Sequence, residues 1–144
     1  MDETAQRVWD RMRQVYAGFL AGDPAAVDRL LDRDVTLWDS EEPQLVRGLG
    51  ELAELRGRRP AGDDGPAGEA GSGGANLEVP RVVDLQASDP VVDVWGDTAL
   101  LRHRLRVVFS GGRPDQWIRN TSVWRRVDGE WFAVHNHEDV LAAP

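Results

Sequence analysis

Apolar residues recur at three- and four-residue spacing near the start of the chain: Val8, Met12, Val15, Tyr16 and Phe19. That spacing predicts an amphipathic helix over residues 3–21, with one face turned to a core. Asp23-Pro24 reads as an N-cap followed by proline at the first helical position. Val27, Leu30 and Leu31 supply the stripe of a second, short helix. Residues 35–39 read as a strand, and Leu49, Leu52 and Leu55 predict a third helix after Gly48. Residues 57–75 are rich in Gly, Pro and Asp and almost empty of large apolar side chains. Such a stretch cannot build a core and reads as a flexible surface insertion. Neither flank is self-sufficient, so residues 1–144 read as one domain.

Beyond the insertion the chain reads as strands. Residues 81–86, 91–95 and 98–109 are the first three, with turns at Gly96-Asp97 and Gly111-Gly112-Arg113-Pro114. Residues 117–139 read as a β-hairpin closed by Asp128-Gly129. Helices first and antiparallel strands after imply an α+β fold, with the helices on one face of a curved, mostly antiparallel sheet.

Composition narrows the chemistry. A chain of 144 residues buries roughly 70% of its unfolded surface, enough for a core and an internal cavity. A net charge of -8 argues against general nucleic-acid binding, which needs a basic surface. There is no cysteine, and all 17 basic residues are arginine. Thiolate nucleophiles, disulfides, cysteine-bound metals and lysine Schiff bases are therefore excluded. No apolar run is long enough to span a bilayer, and the acidic start is unlike a signal peptide, so a cytoplasmic protein is expected.

The hairpin carries two of the three histidines. His135 and His137 are two apart on a strand and share a face, while Glu138 takes the opposite one. A tight two-residue turn would set Ser122 opposite His135 and Asn120 opposite His137. A bulge at Gly129 would instead pair Thr121 with His135 and Arg119 with His137, and Val-Asp-Gly suits the bulge better. Ser122, Asn120, Asn136 and Glu138 would then form the other face. Either face is a candidate ligand surface, which makes Arg119, Asn120, Ser122, His135 and His137 candidate binding residues. The histidine pair with His103 is a conceivable imidazole metal site. Against it stands the absence of a convergent carboxylate, and the pair also reads as structural, hydrogen-bonded within the sheet.

Thr121-Ser-Val-Trp124, Asp128-Gly-Glu-Trp131 and Val134-His-Asn-His137 together resemble the closing hairpin of SnoaL-like domains. They are most similar to the association domain of calcium/calmodulin-dependent protein kinase II. Leu45-Val-Arg-Gly48 and Gly96-Asp-Thr-Ala99 resemble that family's segments before the third helix and into the long central strand. The resemblance covers nearly the whole chain apart from the insertion. It implies a nuclear transport factor 2-like cone of helices and curved sheet around a pocket, and a homodimer. It also implies cofactor-free chemistry on an apolar, oxygenated metabolite, such as a polyketide or terpenoid intermediate. Isomerisation, cyclisation and epoxide opening all belong to this class, and a non-catalytic binding or association module is the alternative.

The association domain carries pocket arginines that fall at Ser122 and Glu138 here, which puts a carboxylate-binding pocket in doubt unless Arg104 or Arg119 compensates. His103 and Glu138 are the expected acid–base pair, on strands the fold brings together. Asp39, ending the first strand, is a further catalytic candidate, since ketosteroid isomerase-like enzymes use a carboxylate near there. Trp38 and Trp117 are expected beside the ligand, and Tyr16 to supply a hydroxyl donor.

Overall fold

The computed structural model describes residues 1–59 and 80–141. The first helix, α1 (Glu3–Leu20), is capped by Asp2, whose carboxylate accepts from the Ala5 amide at 2.8 Å. The second, α2 (Pro24–Asp28), is capped in the same way by Asp23. It ends before Leu30 and Leu31. Leu31 instead opens β1 (Leu31–Trp38), where it pairs with Ala133. The expected helical stripe is therefore cut short, because strand pairing takes its last residue.

Next come β2 (Val46–Arg47) and α3 (Gly48–Arg58). Gly48 sits at φ +75, and a Cβ there would lie 3.2 Å from the Arg33 carbonyl oxygen, so the strand-to-helix corner needs glycine. The helix continues through Gly57 and Arg58, into what the composition marked as insertion. The rest of that insertion lies outside the described residues.

The sheet continues with β3 (Val82–Trp95), β4 (Thr98–Phe109), β5 (Gln116–Val127) and β6 (Glu130–Leu141). The two strands expected over 81–86 and 91–95 are one, interrupted by a bulge between Ser88 and Val91. Pro90 has no N–H to give a ladder, and Asp89 takes φ 57, so the bulge falls where it costs least. Strand order is β2-β1-β6-β5-β4-β3. All neighbours are antiparallel except β1 with β6.

Helix α1 packs Val8, Trp9, Met12 and Tyr16 into one core with Ala99 and Leu101 of β4 and Trp124 of β5. Burial of those side chains removes about 1.5–3 kcal/mol of apolar exposure each, the main force holding helix to sheet. Among the described residues, no helix is long and apolar enough to cross a membrane.

The β5–β6 hairpin has neither expected register, although Ser122, Asn120, Asn136 and Glu138 do share one face. Asp128 (φ 51) and Gly129 (φ 82) form a tight two-residue turn, and Val127 faces Glu130. The bulge lies further along. Trp124 pairs with Ala133 but Val123 pairs with His135, so Val134 is the extra residue. Trp131 and Ala133 point into the core. Uninterrupted alternation would carry His135 and His137 inward after them. The bulge reverses the parity and brings Asn136 and Glu138 to the inner face instead.

Candidate functional site

The inner face of the sheet and the three helices line a solvent-open cavity of about 630 Å³. Its walls are largely apolar, with Met12 and Phe19 from α1, Leu105 from β4 and Trp124 from β5. Tyr16, Asn136 and Glu138 place polar atoms in it, and Trp38, Asp39 and Arg59 stand around the region where β1 and α3 end. Arg59 forms an ion pair with Asp39 at 3.0 Å. Asp39 also accepts from the Glu41 amide at 2.9 Å, which folds the chain sharply after β1.

Glu138 is the perturbed carboxyl of the cavity. Burial raises its pKa from 4.5 to about 7, and the nearby Asp39 charge pushes the same way. Arg59 and a hydrogen bond from Asn136 oppose the rise without cancelling it, while Glu41 adds to it. A carboxyl near half-ionisation at neutral pH can take a proton or return one.

Tyr16, which lines the cavity, meets His103, which does not. The hydroxyl oxygen lies 2.6 Å from His103 Nε2, and both residues are buried. Trp9 packs edge-on to the imidazole, with centroids 5.3 Å apart. Burial lowers the His103 pKa to about 4, so the ring is neutral at physiological pH. Burial, reinforced by the charge of Glu138, pushes the Tyr16 hydroxyl well above its usual range.

The expected contact between His103 and Glu138 is not formed. Strand β5 lies between them, and His103, Asn120 and Glu138 stand in one row across β4, β5 and β6. Two strand spacings put the ends of the row roughly 10 Å apart. Asn120 in the middle is 2% exposed, and both of its amide atoms lack partners among the described residues. Ser122 is wholly buried and accepts from the Trp124 indole at 2.8 Å. It is part of the core and not of the cavity lining.

The remaining expected ligand contacts lie on the outer face. His135 bonds Thr36 at 2.7 Å, and His137 is exposed beside Trp38 in the parallel ladder. Arg119 makes a two-pronged pair with Asp139. Trp117 lies under Arg106, 5.2 Å from its guanidinium carbon. The bulge at Val134 turns His135 and His137 outward, while Arg119 and Trp117 face out because they alternate with buried Ile118 and Asn120 along unbulged β5. Arg104 is outside too, against Asp89. With His103 inside and the other two histidines outside, the three imidazoles do not converge. Among the described residues, no group of three or more His, Cys, Asp or Glu is placed to hold a metal.

Two cavity residues escaped the sequence reading. Asn136 was legible as a face-mate of Glu138 but not as its hydrogen-bond donor. Arg59 was hidden at the edge of the Gly-rich segment, where nothing local marks it as returning to Asp39.

Comparison with known proteins places the fold. The CaMKII hub of S. rosetta is similar over 98% of this chain and 99% of its own, with a TM-score of 0.72 and 22% identity. A putative dehydratase from the NTF2-like family of Streptomyces avermitilis matches over 97% of both chains, with a TM-score of 0.70 and 21% identity. A putative ketosteroid isomerase from Parabacteroides distasonis matches over 93% of this chain and 85% of its own, with a TM-score of 0.65 and 20% identity. No protein-family model and no curated protein matches the chain. The chain has the nuclear transport factor 2-like fold.

Proposed function

We propose that this nuclear transport factor 2-like chain is an acid–base enzyme in which Glu138 moves a proton on an apolar, oxygenated small molecule. The observation that carries the reading is a carboxyl with a pKa of about 7 inside a largely apolar cavity. The apolar walls favour a ligand with a hydrocarbon body, such as a polyketide or terpenoid intermediate. A carbonyl on that ligand would acidify the neighbouring C–H, and ionised Glu138 would accept that proton and return it elsewhere. Isomerisation, dehydration and cyclisation all begin with this step, and it needs no cofactor. Asp39 acts through its charge on Glu138 and its pair with Arg59.

The test is solvent-deuterium exchange into a panel of cyclic β,γ-unsaturated ketones, followed by mass spectrometry and by the absorbance of the conjugated product. Enzyme-dependent exchange that rises through pH about 7 and vanishes in Glu138→Gln supports the reading. Exchange that Glu138→Gln leaves intact would overturn it.

A second reading, a homodimeric association module, draws on the hub similarity and on exposed Val91 and Trp95, the latter 61% accessible. Sedimentation separates the two, because self-association through that patch would respond to Trp95→Ser and not to Glu138→Gln.

A further inference from the structure

The row beneath the cavity holds more buried polar capacity than it uses. His103 Nδ1, Asn120 Oδ1 and Asn120 Nδ2 all lack partners among the described residues. Leaving such groups unpaired costs about 1–3 kcal/mol each. They are ladder neighbours: His103 faces Asn120 across β4–β5, and Asn120 faces Glu138 across β5–β6. Directly opposed side chains on one face have Cβ atoms about 5 Å apart. At that spacing a turn of the Asn120 amide, or one bridging water, would join them.

An amide in that position has its oxygen toward one neighbour and its nitrogen toward the other, which leaves two self-consistent arrangements. When Glu138 is ionised it can only accept, so Asn120 Nδ2 turns to it and Oδ1 turns to His103. The neutral imidazole then carries its proton on Nδ1, and Nε2 accepts from the Tyr16 hydroxyl. When Glu138 is protonated it donates to Oδ1, and Nδ2 donates to His103 Nδ1. The imidazole proton then sits on Nε2 and points at the Tyr16 oxygen, leaving the Tyr16 O–H free to point into the cavity.

We propose that Asn120 is a positioning residue that couples the proton on Glu138 to the direction in which Tyr16 donates its hydroxyl hydrogen bond. Glu138 takes up one proton. The imidazole neither gains nor loses one, and its proton changes nitrogen by exchange with water. The arrangement with Glu138 protonated presents a donor to an oxygen carrying negative charge, the species left when a carbon acid has given up its proton. In that last respect the inference rests on the function proposed above, but its test does not.

The charged groups that face Glu138 are Asp39 and Glu41, from the turn after β1, and Arg59, after α3. Tyr16, from α1, is the titratable group above the row. None of these occupies the ladder positions between Glu138 and His103, so transmission along the row falls to Asn120.

The experiment is 15N NMR of the histidine side chains in the full-length, ligand-free protein from pH 5 to 9, with the His103 signals assigned by their loss in His103→Gln. The Glu138 carboxyl is followed in parallel by 13C NMR. His103 is expected to carry its proton mainly on Nε2 below the Glu138 midpoint and mainly on Nδ1 above it. In Asn120→Leu, Glu138 should still titrate while the His103 tautomer stays constant. A tautomer that holds steady across the Glu138 titration in the unaltered protein overturns the proposal. So does one that still switches in Asn120→Leu. If the leucine variant does not fold, Asn120→Ala takes its place, with the same two outcomes. A switching tautomer in a protein without exchange activity would retain the relay and sink only the proposed reaction.

Discussion

The two faces of strands β4, β5 and β6 carry polar residues in opposite states. On the outer face the arginines pair with carboxylates, Arg102 with Asp93, Arg106 with Asp115 and Arg119 with Asp139, and His135 has a hydrogen bond with Thr36. These pairs are at least partly exposed, and water would serve them almost as well. On the inner face His103 and Asn120 are buried and Glu138 is half-buried, yet among the described residues their side chains have only the Tyr16 and Asn136 hydrogen bonds among them. Paired polar groups in water cost little and signify little. Incompletely paired groups in an apolar cavity are costly, and their retention is a reason to look there for chemistry.

The strongest way to break this contrast is Glu138→Gln. It should lower proton exchange by about 10²–10⁴, the usual worth of a positioned acid–base group. A fall of less than tenfold in the exchange assay would make the inner face no more functional than the outer.

Stability against pH should separate the inner groups next. The folded-state pKa of Glu138 lies above its unfolded value, so its contribution is present below pH 4.5 and is lost as pH rises to about 7. His103 is the reverse, because its folded pKa lies below the unfolded one. Its contribution is present above pH 6.5 and is lost as pH falls to about 4. Glu138→Gln should therefore recover about 1–3 kcal/mol at pH 8, where an edge open to the cavity softens the penalty. His103→Gln should flatten the acid limb by a similar amount. Urea titrations at pH 4, 6 and 8 would measure both limbs, and parallel curves for the variants would refute the assignment.

Tyr16→Phe strips His103 Nε2 of its partner and should cost about 1–3 kcal/mol by the same titration at pH 7. Because Tyr16 is the chain's single tyrosine, its loss should also abolish the whole tyrosinate signal at high pH.

The smallest effect belongs outside. Arg119→Ala and Asp139→Asn break an exposed pair and should leave both the melting temperature and the exchange rate within error.

Much of the fold was legible locally. The spacing of Val8, Met12, Tyr16 and Phe19 locates α1, and Gly96-Asp97 and Asp128-Gly129 locate turns, because these signals depend only on nearby residues. Strand β4 matches its expected bounds, Thr98–Phe109, for the same reason. Tyr16, Asp39 and Glu138 could also be singled out by residue type. Ser122, Asn120, Asn136 and Glu138 were legible as one face, but which face lines the cavity was not. A run such as Ala133-Val-His-Asn-His-Glu138 reads as plain alternation, and nothing within it marks Val134 as the residue to be skipped.

The sequence by itself determined the order of helices and strands, the place of the turn at Asp128-Gly129 and the supply of acids, histidines and tryptophans. Tertiary structure alone decided that Glu138 and not His137 reaches the cavity, that Asn120 separates His103 from Glu138, and that Arg59 returns to Asp39. The physical reason is that register belongs to a pair of strands. It is set by which arrangement buries Trp131, Ala133 and Trp124 together against α1, and one bulged residue is enough to exchange the two faces.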